Sequence, residues 1–155
     1  MMRKTKAKKM NTSMLELICT LGILMIVSVF VMRLFLGANS LETKARDVSK
    51  ACILAETIAD TIKGYPTVKE ALEELKLQQV QDNHLIAVYE KYYDGDWRAK
   101  RKPSKYRVTV VVEQQEMPNN TYYEVDITIK KEKKYPMIKN DSGCELASVH
   151  IVSYK

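Results

Sequence analysis

The residue whose chemistry stands out most is Glu16, because it is an acid at the start of a long apolar run. Residues 17–32 follow it without a single charge. In a membrane helix an acid costs about 2.5–3.5 kcal/mol at the centre and less near the end, so it needs a cationic partner. If the chain is cut before Thr12, the new α-amino group lies four residues from Glu16 and can supply that charge.

No residue pattern predicts an enzyme. His84 and His150 each stand alone, without an acid or a cysteine at the spacing that metal ligands require. The sequence also has no phosphate-binding loop, nucleophile elbow or zinc-protease motif. We therefore expect no catalysis, no metal and no cofactor.

A second group of residues interleaves aromatic rings with cations. Such a mixture can bind single-stranded nucleic acid through stacking and charge. Glu90, Asp94 and Asp96 dilute the positive charge, and a solvated loop between two strands is the favoured interpretation. The candidate ligand patch consists of Tyr92, Tyr93, Trp97, Arg98, Lys100, Arg101 and Lys102.

The three cysteines differ in their expected environment. Cys19 lies in the apolar run and is expected to pack as a small apolar side chain. Cys52 and Cys144 are both expected outside the cell membrane, where a disulfide between them could join a helix to a strand. The spacing does not decide between this disulfide and two free thiols.

The elements that position Glu16 follow from the distribution of charge. The net charge is +6, and a basic leader, residues 1–11, contributes five cations and no acid, whereas residues 38–155 hold 19 bases and 18 acids. Residues 12–37 can cross a bilayer as a helix if Arg33 reaches the far interface. Because the cations precede this segment, the N-terminus is expected in the cytoplasm and the C-terminal part outside. The basic composition therefore reflects membrane topology.

The residues around Glu16 resemble the N-terminus of type IV pilins and of type II secretion pseudopilins. The resemblance rests on Lys8-Lys9-Met10-Asn11, on Thr12-Ser13-Met14-Leu15-Glu16-Leu17 and on the apolar run that follows. Asn11 stands where the family has glycine, and Thr12 where it has phenylalanine or methionine. The resemblance implies that a prepilin peptidase cuts between Asn11 and Thr12, that Thr12 becomes an N-methylated terminus, and that Glu16 directs assembly.

The same resemblance implies a minor pilin or pseudopilin, a single-pass subunit of the inner or cytoplasmic membrane that enters a surface or periplasmic filament. Its partners are then the peptidase, other pilins or pseudopilins, an inner-membrane assembly platform and a cytoplasmic assembly ATPase. Two other interpretations of the N-terminus stay open. One is a plain signal anchor carrying a surface binding module, with DNA as a conceivable ligand, and the other is a cleaved secretory signal.

Beyond the membrane segment the sequence predicts an α+β, pilin-like fold. Residues 38–63 continue the helix as an amphipathic half with an apolar stripe, and Gly64 and Pro66 end it. A break near residues 37–40 is the alternative. In the globular domain, residues 64–155, a capping box predicts a short helix over 67–78. Period-two patterns predict a four-stranded antiparallel sheet from residues 84–93, 106–115, 121–131 and 145–154. The stripe on the helix, which covers one face of this sheet, consists of Leu41, Ala45, Val48, Cys52, Ala55, Ala59 and Ile62.

Overall fold

A computed structural model describes residues 12–83, 85–117, 120–136, 138 and 145–154. The chain divides into two compact units, Met1–Asn39 and Ser40–Lys155. One helix, α1, extends over Thr12–Gly64 and so begins in the first unit and ends in the second. It continues without interruption through residues 37–40, where the sequence left a break open.

The described part of the first unit is the apolar part of α1, residues 12–39. Its side chains from Met14 onward are almost all exposed to the surroundings, so no apolar core forms among them. No proline interrupts the segment, so each backbone N–H from the second turn onward can bond the carbonyl four residues earlier in the helix. The side chains of the segment are predominantly apolar.

The second unit contains a short helix, α2, at Val68–Glu74. It begins at Thr67, whose hydroxyl accepts a hydrogen bond from the backbone N–H of Glu70. It ends earlier than predicted because Lys76 adopts a left-handed conformation with φ of 51°. Two hydrogen bonds close this end, from the N–H of Leu77 to the carbonyl of Leu72 and from the N–H of Lys76 to the carbonyl of Glu73. This is the pattern of a Schellman motif.

The described part of the second unit has six strands, so the prediction of four was wrong. The sheet is antiparallel, with the spatial order β1-β2-β4-β5-β6, and β3 pairs with β2 beside this path. The sequence pattern missed β1 because all its residues are exposed and most are polar, and it missed β3 because that strand has two residues. The strands are β1 (Gln78–Asn83), β2 (Ile86–Tyr93), β3 (Ala99–Lys100), β4 (Tyr106–Met117), β5 (Asn120–Lys131) and β6 (Glu145–Tyr154).

The core lies between one face of this sheet and residues 40–64 of α1. The predicted alternation in the two central strands is confirmed over residues 106–112 of β4 and 125–131 of β5, where every second residue is buried while its neighbours are not. The helix contributes mainly alanines and isoleucines to this core, and the sheet contributes valines and isoleucines. The central core residues are Ala51, Ala55, Ile58, Ala59, Ile62, Val108, Val110, Val112, Val125, Ile127 and Ile129.

The buried face of the helix differs in part from the predicted stripe. Ala55, Ala59 and Ile62 are buried as expected, but Leu41, Ala45 and Cys52 are exposed. Asp47 is buried instead, on the same face as the alanines. An apolar stripe alone could not reveal this, because the reason is a polar contact with the sheet.

Candidate functional site

The first candidate site is the surface of α1 around Glu16. Glu16 is exposed, and so are the apolar side chains beside it, with Leu17 at 62% and Ile18 at 66% of their full accessibility. By length and composition α1 contains a segment that can cross a membrane, and none of that segment is buried within the protein. An exposed apolar surface of this extent is typical of segments that contact lipid or another protein.

The polar side chains within this segment are compatible with a bilayer. The hydroxyl of Thr20 donates a hydrogen bond to the carbonyl of Leu17, and the hydroxyl of Ser28 donates to the carbonyl of Leu24. The hydrogen-bond donor of each hydroxyl is therefore satisfied by a carbonyl of the same helix, so neither side chain needs water in the apolar segment. Glu16 differs from them, because a carboxylate has no proton to donate to the backbone.

The predicted processing site lies at the beginning of α1. Thr12 is the first helical residue described, and Glu16 is therefore the fifth residue of the helix. Asn11 lies outside the described residues. Four residues of helix rise by roughly 6 Å, so the backbone nitrogen of Thr12 and the carboxylate of Glu16 belong to neighbouring turns.

A second polar centre, which the sequence did not predict, joins the helix to the sheet within the second unit. Asp47 of α1 and Lys131 at the end of β5 are both buried, and their charged atoms are 3.1 Å apart. The hydroxyl of Tyr135 donates a 2.6 Å hydrogen bond to the same oxygen of Asp47. The ammonium of Lys131 also lies 3.3 Å from the centre of the Tyr135 ring, so these three residues form one compact contact.

The electrostatics of this centre favour an ionised Asp47. Burial by itself raises the pKa of Asp47, but the hydrogen bonds from Tyr135 and Lys131, the nearby hydroxyl of Tyr106 and the charge of Lys131 together lower it below its ordinary value of 3.8. Burial and the nearby Asp47 carboxylate raise the pKa of Tyr106. The Tyr106 hydroxyl has no partner within hydrogen-bond distance in the described part of the chain, so it acts on Asp47 as a more distant dipole.

Two aromatic members of the predicted ligand patch, Tyr93 and Trp97, pack against other aromatic rings of the protein. Trp97 stacks on Tyr106 with a centroid distance of 4.2 Å, and Tyr93 is buried beside it. The loop that holds Trp97 is closed by Asp94, whose carboxylate accepts hydrogen bonds from the backbone N–H groups of Asp96 and Arg98. The Arg98 hydrogen bond is the largest of the contacts that lower the pKa of Asp94. Trp97 itself has a left-handed backbone with φ of 62°.

The remaining members of the patch lie at the surface. Tyr92 is half-buried, and its hydroxyl donates a 2.6 Å hydrogen bond to Glu90. Lys100 forms an ion pair of 3.4 Å with Asp94. Arg98, Lys100, Arg101 and Lys102 are exposed. The structure thus separates the basic side chains from the stacked rings, which favours the interpretation of a solvated loop.

The other candidate ligands do not form a metal cluster among the described residues. His84 lies outside the described part of the chain, and His150 is exposed on β6, where its ring nitrogen is 2.7 Å from a carboxylate oxygen of Asp126. Cys52 is exposed on α1, whereas Cys144 lies outside the described residues, so their disulfide stays a prediction.

Comparison of the chain with protein-family models, with curated proteins and with solved structures gives no match. The class of this protein is therefore defined by the fold and the site alone. It is an α+β protein with one long N-terminal apolar helix, whose C-terminal part packs on an antiparallel sheet and whose apolar part can serve as a membrane anchor.

Proposed function

We propose that this protein is a minor pilin or pseudopilin, a membrane-anchored subunit that assembles into a type IV pilus-like or type II secretion-type filament. The observation that carries the proposal is α1, which presents an exposed apolar surface with an acid as its fifth residue and then continues into a helix that packs on a sheet. A plain anchor needs the apolar surface but has no use for Glu16.

In this proposal the two halves of α1 have different tasks. The apolar half holds the precursor in the bilayer and later packs against the apolar helices of neighbouring subunits. Dispersion contacts between such helices are not very selective, because lipid tails provide similar contacts. Glu16 adds selectivity, since its charge is compensated only where an α-amino group of Thr12, its own or a neighbour's, lies beside it.

The basic leader and the peptidase prepare this contact. Five cations in residues 1–11 keep the N-terminus in the cytoplasm, where an inner-membrane prepilin peptidase removes the leader between Asn11 and Thr12. Removal creates the amine that pairs with Glu16, and methylation of Thr12 leaves its positive charge in place. The assembly platform and a cytoplasmic ATPase then supply the work that moves the subunit out of the bilayer.

The first experiment determines the N-terminus of the protein extracted from membranes. Mass spectrometry of the intact chain should show a polypeptide that begins at Thr12, with one added methyl group. A chain that retains Met1 would contradict processing and would favour the surface binding module on an uncleaved anchor. A chain that begins near Asn39 would favour a secreted protein.

The second experiment tests the role of the acid directly. Glu16→Ala should insert into the membrane normally but enter filaments at least tenfold less, because a compensated charge worth about 1.4 kcal/mol changes incorporation tenfold. The matched control is Glu42→Ala, which removes an exposed acid of the same helix beyond the apolar segment. Equal incorporation of both variants, measured by co-purification with tagged filaments, would refute the assembly role of Glu16.

A further inference from the structure

A cleft in the second unit lies over the helix-side face of the sheet, next to α2. Its volume is about 430 Å³, within the range of roughly 300–1,000 Å³ that small-molecule sites occupy. Its floor is apolar and consists of buried residues, namely Val68 and Leu72 of α2 and Val112 of β4. The cleft uses none of the residues of the apolar helix or of the Asp47 centre.

Aromatic and amide side chains form the walls of this cleft. Tyr89 of β2 and Tyr123 of β5 are half-buried there, and Gln114 of β4 is half-buried between their strands. Gln79 of the edge strand β1 is exposed at the rim. In the described part of the chain, the side chains of these four residues are not engaged in any hydrogen bond with one another or with a neighbour. Two amides and two phenols therefore offer donors and acceptors to a bound molecule.

The rim carries few charges. Among the lining residues Asp82 is an acid and Lys69 a base, and Glu73 of α2 adds a second carboxylate near Tyr89, so the cleft has no excess of cations that would favour an anionic ligand. Burial, followed by the carboxylates of Asp82 and Glu73, raises the pKa of Tyr89, which keeps its phenol neutral and able to donate a hydrogen bond. A ligand that suits this lining is uncharged, with an apolar surface for the floor and rings and with hydroxyl or amide groups for the rim.

The position of the cleft also restricts the manner of recognition. The strands β2, β4 and β5 beneath it are paired on both sides, so their backbone groups are already used within the sheet. An extended peptide that adds to a sheet needs a free edge and its backbone groups. Over these three strands only side chains are available, and the edge strand β1 contributes to the rim alone. This favours a ligand that carries many hydroxyl groups of its own.

From this lining we propose that the cleft binds a neutral carbohydrate, with the C–H surface of a sugar ring against Tyr89, Tyr123 and Val112 and its hydroxyl groups at Gln79 and Gln114. The proposal does not depend on filament assembly. A subunit that fails to assemble could still bind the sugar, and an assembling subunit could fail to bind it, so the two proposals fail separately.

The test uses the full chain in lipid nanodiscs, with empty nanodiscs as the blank. Isothermal titration calorimetry is performed with a glucose trimer, with an N-acetylglucosamine trimer and with a neutral alanine tripeptide. Binding of at least one of the two saccharides, accompanied by shifts of the Gln79 and Gln114 side-chain amide signals in NMR spectra, is the expected result. The absence of binding by both saccharides would overturn the proposal. Binding of the tripeptide alone would replace it by a peptide site.

Variants then locate the site. Gln114→Ala and Gln79→Ala should each weaken saccharide binding about fivefold, the effect of one neutral hydrogen bond. Gln79 is exposed, so its removal leaves the fold intact. The matched control is Gln81→Ala on the same strand, which is exposed and does not line the cleft, and it should bind like the unaltered chain. Equal affinity in all three variants would show that the saccharide binds elsewhere and would refute the assignment.

Discussion

Replacement of Asp47 by alanine should destabilise the second unit more than any other removal of a single charge from α1. The side chain is 10% exposed, its partner Lys131 is 7% exposed, and the variant leaves that ammonium buried without its counter-charge. Removal of one partner of a buried ion pair typically costs about 3–5 kcal/mol. The lost hydrogen bond from Tyr135 belongs to the same contact, and we therefore expect a loss of about 3 kcal/mol in the free energy of unfolding.

The assay follows unfolding of the full chain in detergent with a chemical denaturant. Trp97 is the one tryptophan of the sequence and stacks on Tyr106, so its fluorescence reports on the second unit. The control is Asp60→Ala, which removes an exposed acid of the same helix and should change stability by less than about 0.5 kcal/mol. If Asp47→Ala and Asp60→Ala unfold at the same denaturant concentration, the buried pair does not hold the helix to the sheet.

A double variant separates the pair from other effects of the substitution. Lys131→Met removes the buried ammonium and keeps much of its volume. Combined with Asp47→Ala, it should recover a large part of the lost stability, because replacing both charges by apolar groups is often close to neutral. Losses that simply add would show that the two side chains act independently and would refute the reasoning.

The same centre predicts a pH dependence. The pKa of Asp47 is lower in the folded protein than its ordinary value of 3.8. The contribution of ionised Asp47 to the free energy of unfolding is therefore complete above about pH 3.8, and it is lost as the pH falls through the pKa of the folded state. Asp47→Asn should show a flatter stability profile in this acidic range than the unaltered chain. Parallel profiles would contradict the linkage.

Two further predictions concern local contacts in the second unit. Thr67→Ala should lower stability by about 1 kcal/mol, because it removes the N-cap hydrogen bond of α2, whereas Thr67→Ser should retain most of that stability in the same denaturation assay. The hydrogen bond to Asp126, followed by the charges of Asp126 and Glu124, raises the pKa of His150 above its usual 6.5, so NMR should find the ring titrating above that value, and Asp126→Asn should return it towards 6.5. The contribution of the His150–Asp126 pair to stability is present at low pH and is lost as the pH rises through the raised pKa of His150. An unchanged titration of His150 in Asp126→Asn would show that Asp126 does not cause the shift.

Much of the fold could be predicted from local patterns. The apolar run, the capping residue Thr67 and the alternation in β4 and β5 each depend on neighbours in the chain, and each was located correctly. The strand β1 was missed because an exposed edge strand is stabilised by backbone pairing and needs no apolar alternation. The early end of α2 was missed because the left-handed conformation of Lys76 is unusual for a residue with a side chain.

The two candidate sites in α1 were unequally predictable. Glu16 is visible in the sequence because an acid interrupts an otherwise apolar segment. Asp47 is not, because it lies among other charged residues and its partners Lys131 and Tyr135 are 84 and 88 residues away. The cleft lined by Tyr89, Gln114 and Tyr123 is equally hidden, since its walls come from separate strands.

By itself, the sequence determined the apolar helix and the period of the central strands, because both follow from the spacing of apolar residues that are close in the chain. The sequence predicted part of the buried face of residues 40–64, and only the tertiary structure showed that Asp47 belongs to it. A buried carboxylate is stable only if a cation and a hydrogen-bond donor lie beside it, and the sheet pairing that delivers Lys131 and Tyr135 is a long-range event. The residues next to Asp47 in the chain therefore do not reveal this contact.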